Sequence, residues 1–226
     1  MNIRAIIFDM DGTLFTSEAL LLPAYAEAID EYNTAHSVAL AIPTLSTILN
    51  QIGNPSRLIL KNLFPELPER TAISLSGQIR KKLIHLIREG KGRLLPYVRE
   101  TLGLLHAQGY FLRVASNGDK EYVQSILDHY RLTDFFGPFV ELDHADLKDK
   151  GDILNLYKSL LSLHDREMVM VGDRRSDLEA AIKAGCFFIG LPSGHGTLSE
   201  LKHPVTVLLN DFSQIPEAVS NMRDAD

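Results

Sequence analysis

Ile3-Arg4-Ala5-Ile6-Ile7-Phe8-Asp9-Met10-Asp11-Gly12-Thr13 is the stretch on which the reading of the chain turns. Its apolar run is continuous rather than alternating, so it reads as a strand covered on both faces. Asp9 and Asp11 follow directly, two residues apart, and Gly12 lets the backbone turn sharply. Like charges at the tip of a buried strand are costly unless a cation or a shared proton relieves them. The pair suits a carboxylate nucleophile, a proton-transfer partner and a hard cation held in one small site. A solvated acidic turn explains the same residues, because Asp and Gly are common loop formers. The rest of the chain has to decide between these readings.

Further short apolar runs follow at residues 110–115, 167–171, 187–190 and 205–209, with a weaker one at 138–142. Helical stripes separate them. Leu102, Leu105 and His106 form one, ahead of a stop at Gly109. Tyr122, Val123, Ile126, Leu127 and Tyr130 form another, and Ile153, Tyr157, Leu160 and Leu161 a third. Ser176 and Glu179 have capping-box spacing ahead of Ala180 and Ile182. Alternating strands and helices predict an α/β fold with a doubly wound, mostly parallel sheet.

One segment breaks the alternation. Leu21, Tyr25, Ala28, Ile29 and Tyr32 recur at helical spacing, as do Leu75, Ile79, Leu83, Leu86 and Ile87. Pro43, Gly53, Pro55, Pro65 and Pro68 punctuate shorter pieces. This predicts an all-helical insertion over residues 16–92 within an α/β core of residues 1–15 and 93–226. Gly90, Lys91 and Gly92 suit a return hinge.

Composition narrows the classes. Hydrophobic residues make up 45% of 226, enough for one sizeable domain carrying an insertion. Acids outnumber bases 29 to 23, for a formal charge of −6, which argues against a nucleic-acid partner. No uncharged apolar run is long enough to span a bilayer, and no signal-like stretch precedes Asp9, so a cytoplasmic location is expected. Cys186 is the only cysteine; lying between Gly185 and Phe187, it reads as a buried small hydrophobe. Oligomeric state, monomer or homodimer, is left open.

In a doubly wound sheet, ligands collect beyond the carboxyl ends of the strands. Ser116, Asn117 and Gly118 follow the run at 110–115 and precede a helix starting near Asp119. They form either an anion site or a plain N-cap. Gly172, Asp173, Arg174, Arg175, Ser176 and Asp177 follow the run at 167–171. Asp173 sits where it could share a metal with Asp9, and Asp177 opens the next helix; a capped loop is the plain alternative. Oxygen ligands of this kind suit Mg²⁺. Lys148 and Lys150, just before Ile153, offer a point charge for a nucleophile and a phosphate, or are solvated.

Asp9-Met-Asp11-Gly12-Thr13, Ser116-Asn117, Lys150 and Gly172-Asp173 with Asp177 together resemble the motifs of the haloacid dehalogenase-like hydrolase superfamily, over nearly the whole chain. The helical insertion is placed like the cap of its phosphoglycolate phosphatase-like and beta-phosphoglucomutase-like members. The resemblance implies that Asp9 is a nucleophile forming an aspartyl phosphate, and that Asp11 is the general acid–base. Ser116 and the backbone near Asn117, with Gly12 and Thr13, would hold the phosphoryl group, and Lys150 would stabilise its charge. Mg²⁺ would be bound by Asp9, by the Asp11 backbone carbonyl and by Asp173, with Asp177 beside them. Such chemistry is mainly positioning and charge stabilisation.

The chain departs from the family pattern in places. The third motif reads Lys148-Asp149-Lys150-Gly151-Asp152, which leaves Lys148 as an alternative to Lys150. Thr16 stands where many members carry a further aspartate, and Tyr97 stands where they carry glycine. Having Asp11 favours phosphoryl chemistry over dehalogenation. The expected activity is a Mg²⁺-dependent phosphatase of a small phosphorylated metabolite: phosphoglycolate-like, a sugar phosphate or a nucleoside monophosphate. The rivals are a beta-phosphoglucomutase-type phosphomutase and a non-catalytic phosphate-ligand-binding protein. Residues 51–57 are the most loop-like part of the insertion, where Arg57 either binds an anionic substrate end or lies on the surface. Arg174 either bridges over the site or is solvated. His195, between Gly194 and Gly196, reads as a flexible, exposed loop histidine, with a place at the site entrance as the alternative.

Overall fold

A computed structural model describes residues 2–140, 147–192 and 195–224 of the chain; the side chains of Arg57, Arg223 and Asp224 also lie outside the described residues. Five strands form one parallel sheet: β1 (Ala5–Phe8), β4 (Phe111–Val114), β5 (Met168–Gly172), β6 (Phe187–Gly190) and β7 (Thr206–Leu208). Their order is β4-β1-β5-β6-β7, so the run that opens the chain lies inside the sheet. Phe8 pairs with Val114 on one side and Val171 on the other. That register brings the ends of β4, β1 and β5 level with one another.

Alternate residues of these strands face opposite layers. Ile6, Phe8, Leu112, Val114, Val169 and Val171 pack with α5 (Val98–Ala107), α6 (Lys120–His129) and α10 (Ile215–Asp224). Ala5, Ile7, Met168, Met170 and Phe188 pack with α7 (Lys150–Leu160) and α8 (Arg175–Ala184). Each fully buried aliphatic side chain contributes about 1.5–3 kcal/mol, so the doubly covered sheet is the main source of stability. Cys186 lies in the second layer, where burial pushes its thiol up to about 12.

Several expectations are corrected. Residues 138–140 form no strand, and 141–142 lie outside the described residues. The Val140 N–H donates to the Tyr157 hydroxyl at 3.1 Å, which donates in turn to the Val114 carbonyl at 2.8 Å. A side chain takes the place of main-chain pairing there. The run at 205–209 is an edge strand rather than a buried one, with Val205 37% and Val207 38% exposed. His106 and Leu160 are exposed, and Leu154 is buried in place of Leu160. α8 begins before Ser176, and its first turn is closed by Asp177, whose Oδ2 accepts from the Arg174 N–H at 3.0 Å. Glu179 pairs with Arg175 instead, at 2.8 Å.

Between β2 (Phe15–Thr16) and β3 (Arg93–Leu94) every described regular element is helical: α1 (Glu18–His36), α2 (Leu45–Leu49), α3 (Ser56–Leu63) and α4 (Glu69–Arg88). Leu21, Tyr25, Ile29, Leu75 and Ile79 build a hydrophobic cluster of their own here. β2 and β3 pair antiparallel, Phe15 with Leu94 and Thr16 with Arg93, where this segment leaves and rejoins the sheet. Tyr97 caps α5 with φ of 64°, the left-handed region that glycine enters freely. A short helix, α9 (Leu198–Leu201), lies between β6 and β7. Among the described residues no helix is long and apolar enough to cross a membrane.

Candidate active site

The level strand ends bring the charged residues together. Asp9 leaves β1 with its N–H on the Val171 carbonyl at 2.9 Å, which orients it toward β5. Lys150, the first residue of α7, reaches back into the same space. Its Nζ donates to Asp9 Oδ1 at 2.5 Å and to Asp177 Oδ1 at 2.6 Å. All three side chains are buried. Lys148 is exposed. Burial alone would push the Lys150 ammonium down; Asp177 and Asp9 outweigh it and hold the charge above the ordinary lysine range.

Asp173, immediately after β5, is fully buried. Its Oδ2 accepts from the His195 backbone N–H at 2.5 Å, and Thr13 Oγ1 donates to Oδ1 at 3.4 Å. Gly12, at φ of 88°, passes so close that a Cβ there would lie 2.3 Å from Asp173 Oδ2. The glycine therefore serves the turn and also makes room for the second carboxylate.

Asp9, Asp173 and Asp177 offer carboxylate oxygens that all lie within 4.8 Å of one another. Burial raises the Asp9 pKa well above the ordinary carboxylate range; Lys150 opposes this, and Asp177 and Asp173 add to it. Burial, with Asp177, pushes Asp173 up to about 7. Three buried carboxylates against one ammonium leave an excess of negative charge. Hard oxygen donors with unmet negative charge fit a divalent cation such as Mg²⁺.

Asp11 stands apart from this trio. Its Oδ1 accepts from the Tyr122 hydroxyl at 2.7 Å. Burial raises its pKa, while the Tyr122 hydrogen bond lowers it, and the net shift is upward. A raised carboxyl next to a strand-end carboxylate is suited to carry a proton. Tyr122 appears in the sequence only as part of a helical stripe; no local signal marks its hydroxyl, which acts across the sheet.

Ser116 is buried after β4, its Oγ accepting from the Gly118 N–H at 3.0 Å. Asn117 lines the same cavity, and its side-chain Nδ2 donates to the Gly53 carbonyl of the helical insertion at 2.5 Å. Arg174 is neither over the carboxylates nor solvated. Its guanidinium donates to the carbonyls of His195 at 3.0 Å, Leu49 at 3.0 Å and Ile52 at 2.8 Å. His195 is not an exposed loop residue: its side chain is 9% exposed, and its backbone supports Asp173. The glycines flanking it were the available signal. Arg57 is the second residue of α3, with its side chain outside the described residues.

Asp9, Asp11, Ser116 and Lys150 line a cavity of about 100 Å³. The facing wall comes from the insertion: Leu21, Tyr25, Ile52, Gly53, Ile59 and Ile79. Two strand-end carboxylates, a hydroxyl and a buried ammonium thus share one cavity.

The haloacid dehalogenase-like hydrolase family model matches residues 6–191. The chain is 30% identical to a phosphoglycolate phosphatase of Yersinia pestis, over 95% of this chain and 92% of that one. It is 26% identical to one of Salmonella typhi, over 96% and 93% of the two chains. The crystal structure of a predicted phosphoglycolate phosphatase from Haemophilus somnus superposes with a TM-score of 0.83, at 25% identity, covering 96% of this chain and 98% of that one. The match runs from β1 to the loop after β6 and so spans every strand end that carries a site residue. The chain belongs to the haloacid dehalogenase-like hydrolase family, in its phosphoglycolate phosphatase-like branch, and is an enzyme of the phosphatase class.

Proposed function

We propose that the protein is a Mg²⁺-dependent phosphatase of small phosphorylated metabolites that works through an aspartyl phosphate on Asp9. The observation that carries this reading is the buried Asp9–Lys150–Asp177 chain beside Asp173. Asp9 is the only one of these groups that also faces the cavity from a strand end next to Asp11 and Ser116. Its free oxygen attacks phosphorus and the leaving oxygen departs. Lys150 keeps Asp9 in line and balances the charge that builds on the phosphoryl oxygens. Asp11 gives its proton to the departing alkoxide, then takes one from the water that cleaves the aspartyl phosphate. The Tyr122 hydroxyl holds the Asp11 carboxyl toward the cavity between these steps. Ser116 and the backbone N–H groups near Asn117 receive the phosphoryl oxygens.

Asp9, Asp173 and the Asp11 carbonyl would hold Mg²⁺, with Asp177 beside them. When bound it neutralises the carboxylates and polarises the phosphoryl group. The helical insertion, residues 16–92, acts as a cap that excludes water from the reacting groups. The phosphoglycolate phosphatases named above favour a phosphoglycolate-like substrate over a sugar phosphate or a nucleoside monophosphate.

The test is phosphate release from an aryl phosphate and a metabolite panel including phosphoglycolate, with and without Mg²⁺. Asp9→Asn is expected to lose on the order of 10⁴-fold in turnover. Full activity in that variant would sink the mechanism.

A further inference from the structure

Arg174 and Asn117 each follow directly on a residue of the proposed site, Asp173 and Ser116. Both side chains leave the core for the same short stretch of the insertion. Arg174 Nη2 donates to Leu49 O at 3.0 Å and Ile52 O at 2.8 Å, while Nη1 is anchored on His195 O at 3.0 Å. Asn117 Nδ2 donates to Gly53 O at 2.5 Å. Three carbonyls between residues 49 and 53 are thus held by two core side chains from the strand ends on either side of β1.

The local chemistry suits this use. Leu49 ends α2, and its carbonyl, which accepts from the Ile52 N–H at 3.1 Å, has a second lone pair for the arginine. Arginine presents several donors in a fixed planar fork, so one side chain can bridge carbonyls on both bodies; an ammonium lacks that geometry. Gly53 has φ of 99°, and a Cβ there would lie 3.4 Å from Arg174 Cγ and 3.5 Å from Nε. The turn lies flat on the arginine. Closing it also has a cost: among the described residues, Arg174 Nε and Asn117 Oδ1 are buried without partners. Three hydrogen bonds across the gap are set against two stranded polar atoms, which makes a contact that reopens readily.

Ile52, Gly53 and Asn54 line the cavity opposite Asp9. We propose that Arg174 and Asn117 are positioning residues, a two-point latch that couples occupation of the phosphate site to the placement of the 51–54 turn against the leaving group. The proposal rests on the phosphatase reading for what fills the site. The latch itself needs only the contacts just described. Phosphate bound beside Ser116 and Asp173 orders the two loops, and their next residues carry that order to the insertion.

Hydrogen exchange resolved by mass spectrometry tests this, on the full chain with and without Mg²⁺ and inorganic phosphate. In the wild type, exchange at 49–54 slows when both are added. In Arg174→Ala it is fast and no longer responds, while β1 and β5 exchange as in the wild type. Arg174→Lys falls between the two. Asn117→Ala gives the same signature with the Arg174 contacts in place, which separates a latch from a folding defect. Alongside, kcat/KM of Arg174→Ala for the best small substrate falls about 10- to 100-fold, the size expected of a misplaced contact remote from the chemistry. Exchange at 49–54 in Arg174→Ala that matches the wild type, or that still slows with phosphate, overturns the proposal. A wild type that neither hydrolyses phosphate esters nor responds to phosphate defeats the phosphatase reading. The comparison of ligand-free wild type and variants still decides the latch.

Discussion

Asp173 shows how a single side chain is used against its own solvation. It is fully buried, within reach of two other carboxylates, and pushed up to about 7. The His195 N–H and the Thr13 hydroxyl offset part of that burial, and the proposed Mg²⁺ would offset more of it. Asp173→Asn keeps the shape and leaves an oxygen for the His195 N–H. Two effects of opposite sign are expected. The metal-free protein melts higher, because a buried repulsion is gone. The rise in melting temperature that Mg²⁺ gives the wild type is lost. Thermal scans with and without Mg²⁺ measure both, and an unchanged Mg²⁺ response in the variant contradicts the assignment. The paired acids were legible in the sequence because their signal is local: a carboxylate directly after an apolar run. Tyr122 and Arg174 were not, since their partners Asp11 and Leu49 lie 111 and 125 residues away. No window of sequence contains both ends of such a bond.

At the level of elements, the central strands were readable because both faces are covered and their apolar runs are unbroken. β7 reads as buried in the sequence because an edge strand still carries Val207, with Val205 just before it, although both are half-exposed. Residues 138–140 form no strand for a different reason: Tyr157 gives Val140 the hydrogen bond that a neighbouring strand would have made. α5 illustrates a local cost. Tyr97 occupies a left-handed cap at φ of 64°, with its ring 55% exposed. Relief of the left-handed strain, about 1 kcal/mol, is partly offset by the greater freedom of glycine in the unfolded chain. Tyr97→Gly is therefore expected to stabilise by about 0.5 kcal/mol. Calorimetry should show a rise of about 1–2 °C, with activity unchanged; a lower melting temperature would assign the ring a packing role.

For the whole molecule, the hydrophobic clusters predict how it comes apart. The two layers on either side of the sheet share β1 and β5, so they stand or fall together. The insertion holds a third cluster, centred on α1 and α4. Ile29, fully buried in it, is expected to cost about 2–5 kcal/mol on truncation to alanine. We expect Ile29→Ala to unfold in two steps in denaturant. Helical circular dichroism would drop first, and Mg²⁺ would shift the second step more than the first. A single transition shared by all probes would instead show that insertion and sheet form one cooperative unit. The lack of strand patterns between Thr16 and Gly92 was visible in the sequence, and the regular elements described between β2 and β3 are helices. The contacts of this segment with the core were not visible, because a guanidinium on backbone carbonyls leaves no mark in composition.

The two-residue pairing of β2 with β3 has a consequence for descent as well as for motion. The chain leaves the sheet and returns to it through one doorway, Phe15 beside Leu94 and Thr16 beside Arg93. Whatever is spliced in at that doorway begins and ends in the same place, so its length imposes no stretch on the frame and little added closure entropy. Lineages could therefore exchange the spliced piece wholesale while the aspartates below it stayed untouched. Chemistry and taste in substrates would then be inherited as separate traits.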